Sequence, residues 1–134
     1  MTFYSLNIDL PIRVPLQTKK SKYFYLNLNI YRNSHFYILD QAKKTFENII
    51  WNQLDSLPKF KNIELTYILY AGSDRKVDVA NICCIVDKFF CDTLVHKGII
   101  EDDNYNVIKK INYLFGKIDK HNPHINVTLT GELL

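Results

Sequence analysis

Asp78, Asn81, Lys88 and Asp92 recur along one apolar stretch, and Asp102 and Asp103 follow it just beyond Gly98. Carboxylates gathered in this way commonly hold a divalent cation, and a lysine among them suits phosphate chemistry. Residues 79–97 read as a helix opened by Asp78 as N-cap and closed by Gly98. Asn81, Lys88 and Asp92 fall on one face of that helix, at i, i+7 and i+11, with Asp78 one turn earlier. Ile82, Ile85, Val86, Phe89 and Phe90 occupy the remaining surface and are predicted to pack into the core. A chain reversal at Gly98 is expected to return Asp102 and Asp103 towards the same site.

Magnesium prefers oxygen ligands and takes only one or two carboxylates, with water and substrate phosphate completing its shell. Asp78 and Asp103 are the candidate ligands, with Asp102 beside them. A cation held there would lower the pKa of a bound water and supply hydroxide as a nucleophile. Lys88 is placed to neutralise charge on a scissile phosphate or a leaving oxygen. A plainer reading uses the same residues. Asp78 is then only a cap, and Lys88 with Asp92 an exposed helical pair worth roughly a few tenths of a kcal/mol. Asp102-Asp103 is then a solvated turn. Spacing alone leaves both readings open.

The elements that must position these groups follow from the rest of the chain. Its 134 residues suit one domain, spanning 1–134, and an apolar fraction of 47% suits a folded core rather than disorder. Phe3 to Asp9 reads as a strand, and Pro11 and Pro15 then break the pattern. Gln17 to Lys22 reads as a polar, basic loop. Tyr23 to Tyr31 alternates, with Leu26, Leu28 and Ile30 on one face, and is predicted to be a second strand. Phe36 to Leu57 carries Leu39, Ala42, Phe46, Ile49, Ile50 and Leu54 at helical spacing, and Pro58 ends it. Ile63 to Ala71 is a third strand, and Asn106 to Phe115 and Ile125 to Leu129 two closing ones, with His121 and His124 in a hairpin between them. The sum is an α+β fold: a single compact domain with a mixed or antiparallel sheet and two main helices.

The net charge is +3, unevenly spread. Residues 1–50 hold seven Lys/Arg against three Asp/Glu, whereas 74–103 hold seven acids against four bases. An acidic centre flanked by basic segments suits an enzyme of a polyanion, although a mixed surface without meaning explains the counts equally well. Arg32, Lys43, Lys44, Arg75, Lys76, Lys19 and Lys20 are candidate phosphate contacts, together with Arg13 and Lys22. Arg75 and Lys76 lead this group because they immediately precede Asp78. Cys83, Cys84 and Cys91 lack metal-site spacing and read as buried free thiols of a reducing compartment. The apolar runs are too short to cross a bilayer, and residues 1–5 do not resemble a signal peptide, so the chain reads as intracellular. Tyr31 and His35 have a base-contacting reading beside the commoner core reading, and Trp51 reads as core or dimer interface.

Asp78-x-x-Asn81, Lys88-x-x-x-Asp92-x-Leu94 and Gly98-x-x-x-Asp102-Asp103 together resemble the RusA-type Holliday junction resolvases, especially their phage-encoded members. Leu28-Asn29-Ile30-Tyr31-Arg32-Asn33 resembles that family's N-terminal segment, and Ala42-Lys43-Lys44 a feature of the phage forms. The resemblance covers about residues 26 to 130. It implies a small homodimeric, magnesium-dependent endonuclease that nicks four-way DNA junctions symmetrically. No membrane and no small-molecule cofactor are implied. The setting implied is the cytoplasm of a bacterial cell, with a phage or prophage gene. Asp78 and Asp103 would be metal-binding acids and Lys88 the family's essential lysine. Ala80 departs from the pattern, for it stands where the family carries a second Asp. Asp87 lies seven residues after Ala80, on the same helical face, and is a candidate replacement for the missing catalytic acid. The alternatives are a site that works with fewer carboxylates, or a non-catalytic DNA-binding or regulatory protein on the resolvase fold.

Overall fold

A computed structural model describes residues 2–17 and 22–134. Its core is a four-stranded mixed sheet built from segments of period two. β1 spans Phe3–Leu10, β4 Phe60–Ala71, β5 Ile108–Ile118 and β6 His124–Leu133, in the order β1-β6-β4-β5. In β4 the buried Ile63, Leu65, Tyr67 and Leu69 alternate with less buried Glu64, Thr66 and Ile68. In β6, Ile125, Val127 and Leu129 alternate with Asn126 and Thr128 in the same way. One face of the sheet is therefore apolar and receives the helices. The other is a polar ladder, in which Asn7 Nδ2 donates to Thr128 Oγ1 at 2.8 Å and Asn112 Nδ2 to Thr66 Oγ1 at 3.3 Å.

β1 and β6 are antiparallel, as are β6 and β4, but β5 runs parallel to β4. Parallel neighbours need a long crossover, and the helix α3, Val79–His96, supplies it. The mixed sheet and the α+β class are as the sequence predicts. The closing hairpin is not. β5 and β6 flank β4 on opposite sides, so residues 119–123 cross the end of β4 rather than turn between neighbours. The Asp119 amide donates to the Ala71 carbonyl at 2.7 Å there, and Asp119 Oδ1 accepts from the Asn122 amide at 3.1 Å.

A second correction concerns Tyr23 to Tyr31. Only Tyr23–Tyr25 is a strand, β3, paired antiparallel with β2 at Arg13–Pro15. Asn27 then caps a short helix, α1, over Leu28–Asn33, its Oδ1 accepting from the Ile30 amide at 2.8 Å. A capping asparagine outweighs the strand preference of Ile30 and Tyr31, which depends on a neighbouring strand to pack against. Leu26 is consequently buried while Ile30 is exposed, and the two no longer share a face.

The helix predicted from Phe36 is α2, Phe36–Ile50, and it tightens into a 3-10 turn over Trp51–Leu54. Ala42, Phe46 and Ile50 recur one turn apart along its buried stripe. α3 begins and ends as expected. Asp78 Oδ1 accepts from the Ala80 amide at 3.0 Å, and Gly98, at φ 78°, takes the left-handed conformation that closes the helix. Trp51 is half-buried, with Lys97 Nζ 4.1 Å from its ring centroid. Among the described residues no helix is long and apolar enough to cross a membrane.

Candidate active site

α3 carries the candidate groups because it is buried over most of its circumference and polar along one stripe. Ile85, Val86, Phe89, Phe90 and Leu94 are buried, whereas Asn81, Lys88 and Asp92 lie along the outer stripe that their spacing predicts. At its N-terminus Asp78 and Asn81 line a cleft of about 340 Å³ with Arg75, Lys76, Asn27 and Asn29. The loop 72–77 delivers the two bases, and α1 delivers the asparagines. Asp78 Oδ2 makes no hydrogen bond among the described residues, because only Oδ1 caps the helix. Asn27 and Asn29 thus stand beside Asp78. The legible signal was Asn27 itself, an N-cap residue directly before Leu28.

Lys88 lies farther along the stripe, about 15 Å from Asp78 at the helical rise per residue. It is exposed, and its Nζ is 4.0 Å from the Asp92 carboxylate, which also takes Lys43 Nζ at 3.0 Å. Two of the candidate phosphate contacts are therefore paired within the fold. Lys43 is held by Asp92, and Lys44 by Asp40 at 2.9 Å. Arg32 is exposed on α1, close enough for its charge to act on the Cys84 thiol. Lys19 and Lys20 lie outside the described residues.

Asp103 does not return to Asp78 within one chain. Because β5 is parallel to β4, the loop after α3 ends where Ile63 pairs with Ile108, whereas Asp78 follows Ala71 at the opposite end. The charge of Asp103 acts on the Cys91 thiol, about 20 Å along α3 from Asp78. Asp102 ties its own turn, with Oδ1 accepting from the Asp103 amide at 2.8 Å and Oδ2 from Asn104 Nδ2 at 3.1 Å. Among the described residues no three His, Cys, Asp or Glu side chains gather as a metal-binding group.

Asp87 projects to the other side of α3, against the sheet. Its Oδ1 accepts from the Tyr67 hydroxyl at 2.6 Å and the Cys91 thiol at 3.3 Å, and its Oδ2 from the Tyr113 hydroxyl at 3.2 Å. Both oxygens are thus engaged by α3 and its two underlying strands. Burial, followed by the charge of a neighbouring thiol and of Asp87, raises the ionisation of Tyr67 well above its ordinary range. Burial, then the same carboxylate, raises Tyr113. Burial pushes the Cys83 thiol from 9.0 up to about 12 and raises Cys91 as well. These groups keep their protons in the folded state at pH values where the unfolded chain has lost them. The stability these groups contribute is accordingly complete just below pH 9 and is lost as pH rises through the interval from 9.0 to about 12. A urea midpoint measured between neutral and strongly alkaline pH should hold steady and then drop. A midpoint unchanged across that interval would contradict the burial of these groups.

No protein-family model matches the chain, and no curated protein is similar enough to stand as a relative.

Proposed function

We propose that the protein is a magnesium-dependent, structure-selective endodeoxyribonuclease that resolves four-way junctions and other branched DNA, acting as a homodimer. The cleft at the start of α3 carries this reading. There Asp78 and Asn81 stand with Arg75 and Lys76, and Asn29 arrives from a segment of the chain remote in sequence. A carboxylate, amide oxygens and two cations in one polar cleft would suit a divalent cation and a phosphodiester together.

The donor set fits magnesium, which takes hard oxygen ligands and needs only one or two carboxylates when phosphate and water complete its shell. Asp78 would hold it, whereas Asp103 of the same chain stands at the opposite end of the sheet. Bound there, the ion supplies Lewis acidity and a more acidic water. Arg75 and Lys76 seat the phosphate, and Arg32 extends the same positive face along α1. Lys88 adds positive potential along the outer stripe. Asp87, held by two tyrosines and a thiol, supports the site by fixing α3 on the sheet.

Ala80 favours a second reading. It is exposed in the first turn of α3, where the resolvases carry an acid, and a site short of one carboxylate suits a DNA-binding or regulatory protein that no longer cleaves. A synthetic four-way junction and a linear duplex of matching sequence separate the two when each is incubated with Mg²⁺ or with EDTA. Paired nicks on the junction that require Mg²⁺ are the expected result. Tight junction binding without nicks would replace the first reading by the second, and neither binding nor nicking would remove both.

A further inference from the structure

A cavity of about 440 Å³ lies between the C-terminal ends of α2 and α3, lined by Lys44, Glu47, Asn48, Trp51, Asn52 and His96. It is about 27 Å along α3 from Asp78 at the helical rise per residue, so it is separate from the cleft described above. α2 and the 3-10 turn that continues it supply every lining residue but His96. These fall at i, i+3, i+4, i+7 and i+8 from Lys44, the spacing of a single helical face.

The state of each group in the cavity follows from its neighbours. His96 Nδ1 is 2.6 Å from Glu47 Oε1, and the Glu47 side chain is only 12% exposed. An ionised carboxylate can only accept, so Nδ1 carries the proton and Nε2 is the nitrogen left to the cavity. Lys97 Nζ stands 4.1 Å from the centroid of the Trp51 ring, and His96 meets the same ring at 5.4 Å and 60°. The indole is thereby held in place. Lys97 does not line the cavity, so the indole surface that the cavity reaches lies away from the ammonium group. The side chains of Asn48 and Asn52 are exposed and make no hydrogen bond among the described residues.

These features select a ligand. Every cation around the cavity already faces an acid: Lys44 has Asp40 at 2.9 Å, Lys97 has Asp55 at 2.5 Å, and His96 has Glu47. A free anion therefore finds no uncompensated charge. What remains is a fixed aromatic surface beside two unengaged carboxamides, about 6 Å apart at one helical turn. Indole surfaces stack flat heteroaromatic rings. A carboxamide donates and accepts side by side, which matches the N6 amino group and N7 of adenine, whereas guanine offers two acceptors along that edge.

We propose that this cavity binds an adenine base, stacked on Trp51 and read along its N6/N7 edge by Asn48 or Asn52, with His96 Nε2 as a further acceptor at the rim. A free nucleoside and an unpaired adenine in a strand offer the same chemistry. The inference stands apart from the nuclease reading, and EDTA throughout its test keeps cleavage out of the measurement.

Trp51 is the one tryptophan of the chain, so its fluorescence reports on this cavity alone. The full chain is titrated with adenosine, guanosine, ribose 5-phosphate and single-stranded oligodeoxyadenylate, with excitation beyond the absorption of the bases. Adenosine should quench saturably at millimolar concentration or below, guanosine about tenfold more weakly, and ribose 5-phosphate not at all. Quenching by the oligonucleotide as well as adenosine admits both sources of the base. Quenching by adenosine alone assigns the site to free nucleoside, and by the oligonucleotide alone to a strand. Replacing both carboxamides, Asn48→Ala with Asn52→Ala, should weaken adenine binding about tenfold and leave the urea midpoint near that of the wild type. Gln53→Ala, exposed on the same turn but outside the cavity, should bind as the wild type does. No saturable quenching by either adenine probe overturns the site, as does equal quenching by guanosine or ribose 5-phosphate, or full affinity in the double variant. Should the double variant fail to fold, the wild-type preference for adenosine over guanosine decides.

Discussion

Asp78→Asn is expected to lower Mg²⁺-dependent junction nicking by at least about a hundredfold, the scale reached when even an outer-shell partner of a metal is lost. The fold should not suffer. Asp78 Oδ1 accepts from the Ala80 amide to cap α3, and asparagine caps a helix about as well as aspartate. The substitution thus removes the charge that a cation needs and keeps the hydrogen bond that the helix needs. Asp78→Ala would remove both and should cost about 1 kcal/mol of stability in addition. Asp87→Asn supplies the contrast. Its carboxylate accepts from Tyr67, Tyr113 and Cys91, so the amide must turn an N–H2 group towards donors, and stability should fall. Single-turnover cleavage and urea melts of the three variants separate the roles. Wild-type cleavage by Asp78→Asn would remove Asp78 from the site. Wild-type cleavage by Asp87→Asn, beside a dead Asp78→Asn, would end the idea that Asp87 replaces the acid missing at Ala80.

Phe89→Ala should destabilise the protein by about 3–5 kcal/mol, the usual loss for an aromatic ring deleted from a core. Domains of this kind are stable by only about 5–15 kcal/mol, so the variant should be close to unfolding. Phe89 is buried on α3 where three other aromatic rings converge. Phe24 of β3 stacks on it at 6.2 Å, Phe46 of α2 meets it edge-on at 5.7 Å, and Tyr31 of α1 at 6.5 Å. Deleting the ring leaves a cavity between elements that cannot all close on it. α1 also carries Asn29 into the Asp78 cleft, so a loosened α1 should weaken nicking at temperatures below the melting point. Phe36→Ala is the control, because that side chain is 64% exposed and its loss should move stability by less than about 0.5 kcal/mol. A urea-derived loss below about 1 kcal/mol for Phe89→Ala would mean that the aromatic junction is not packed as described.

Much of this protein could be read from its residues because the controlling forces act over a few positions. Asp78 announces the start of α3 by capping it and Gly98 its end by its positive φ, and both signals are complete within one turn of chain. The period-two runs of β4 and β6 and the helical spacing in α2 name their buried faces for the same reason. The run Tyr23 to Tyr31 misleads because two local signals compete there, and the Asn27 cap prevails over a strand pattern only weakly held. The polar stripe of Asn81, Lys88 and Asp92 is equally a property of one helix.

Whatever depends on strand order was decided elsewhere. Nothing within a few residues of Gly98 says that β5 joins β4 in parallel, on the side away from β6, rather than returning beside its neighbour in sequence. That choice sends Asp103 to the far end of the sheet and turns Asp87 onto Tyr67 and Tyr113. It also leaves an apolar edge exposed at β5. The stretch from Asp78 to Asp103 therefore determined by itself which groups could do chemistry and on which face of α3 they stand. Only the tertiary structure decided which of them meet, because long-range strand pairing is selected by burial over the whole sheet and no local spacing encodes it.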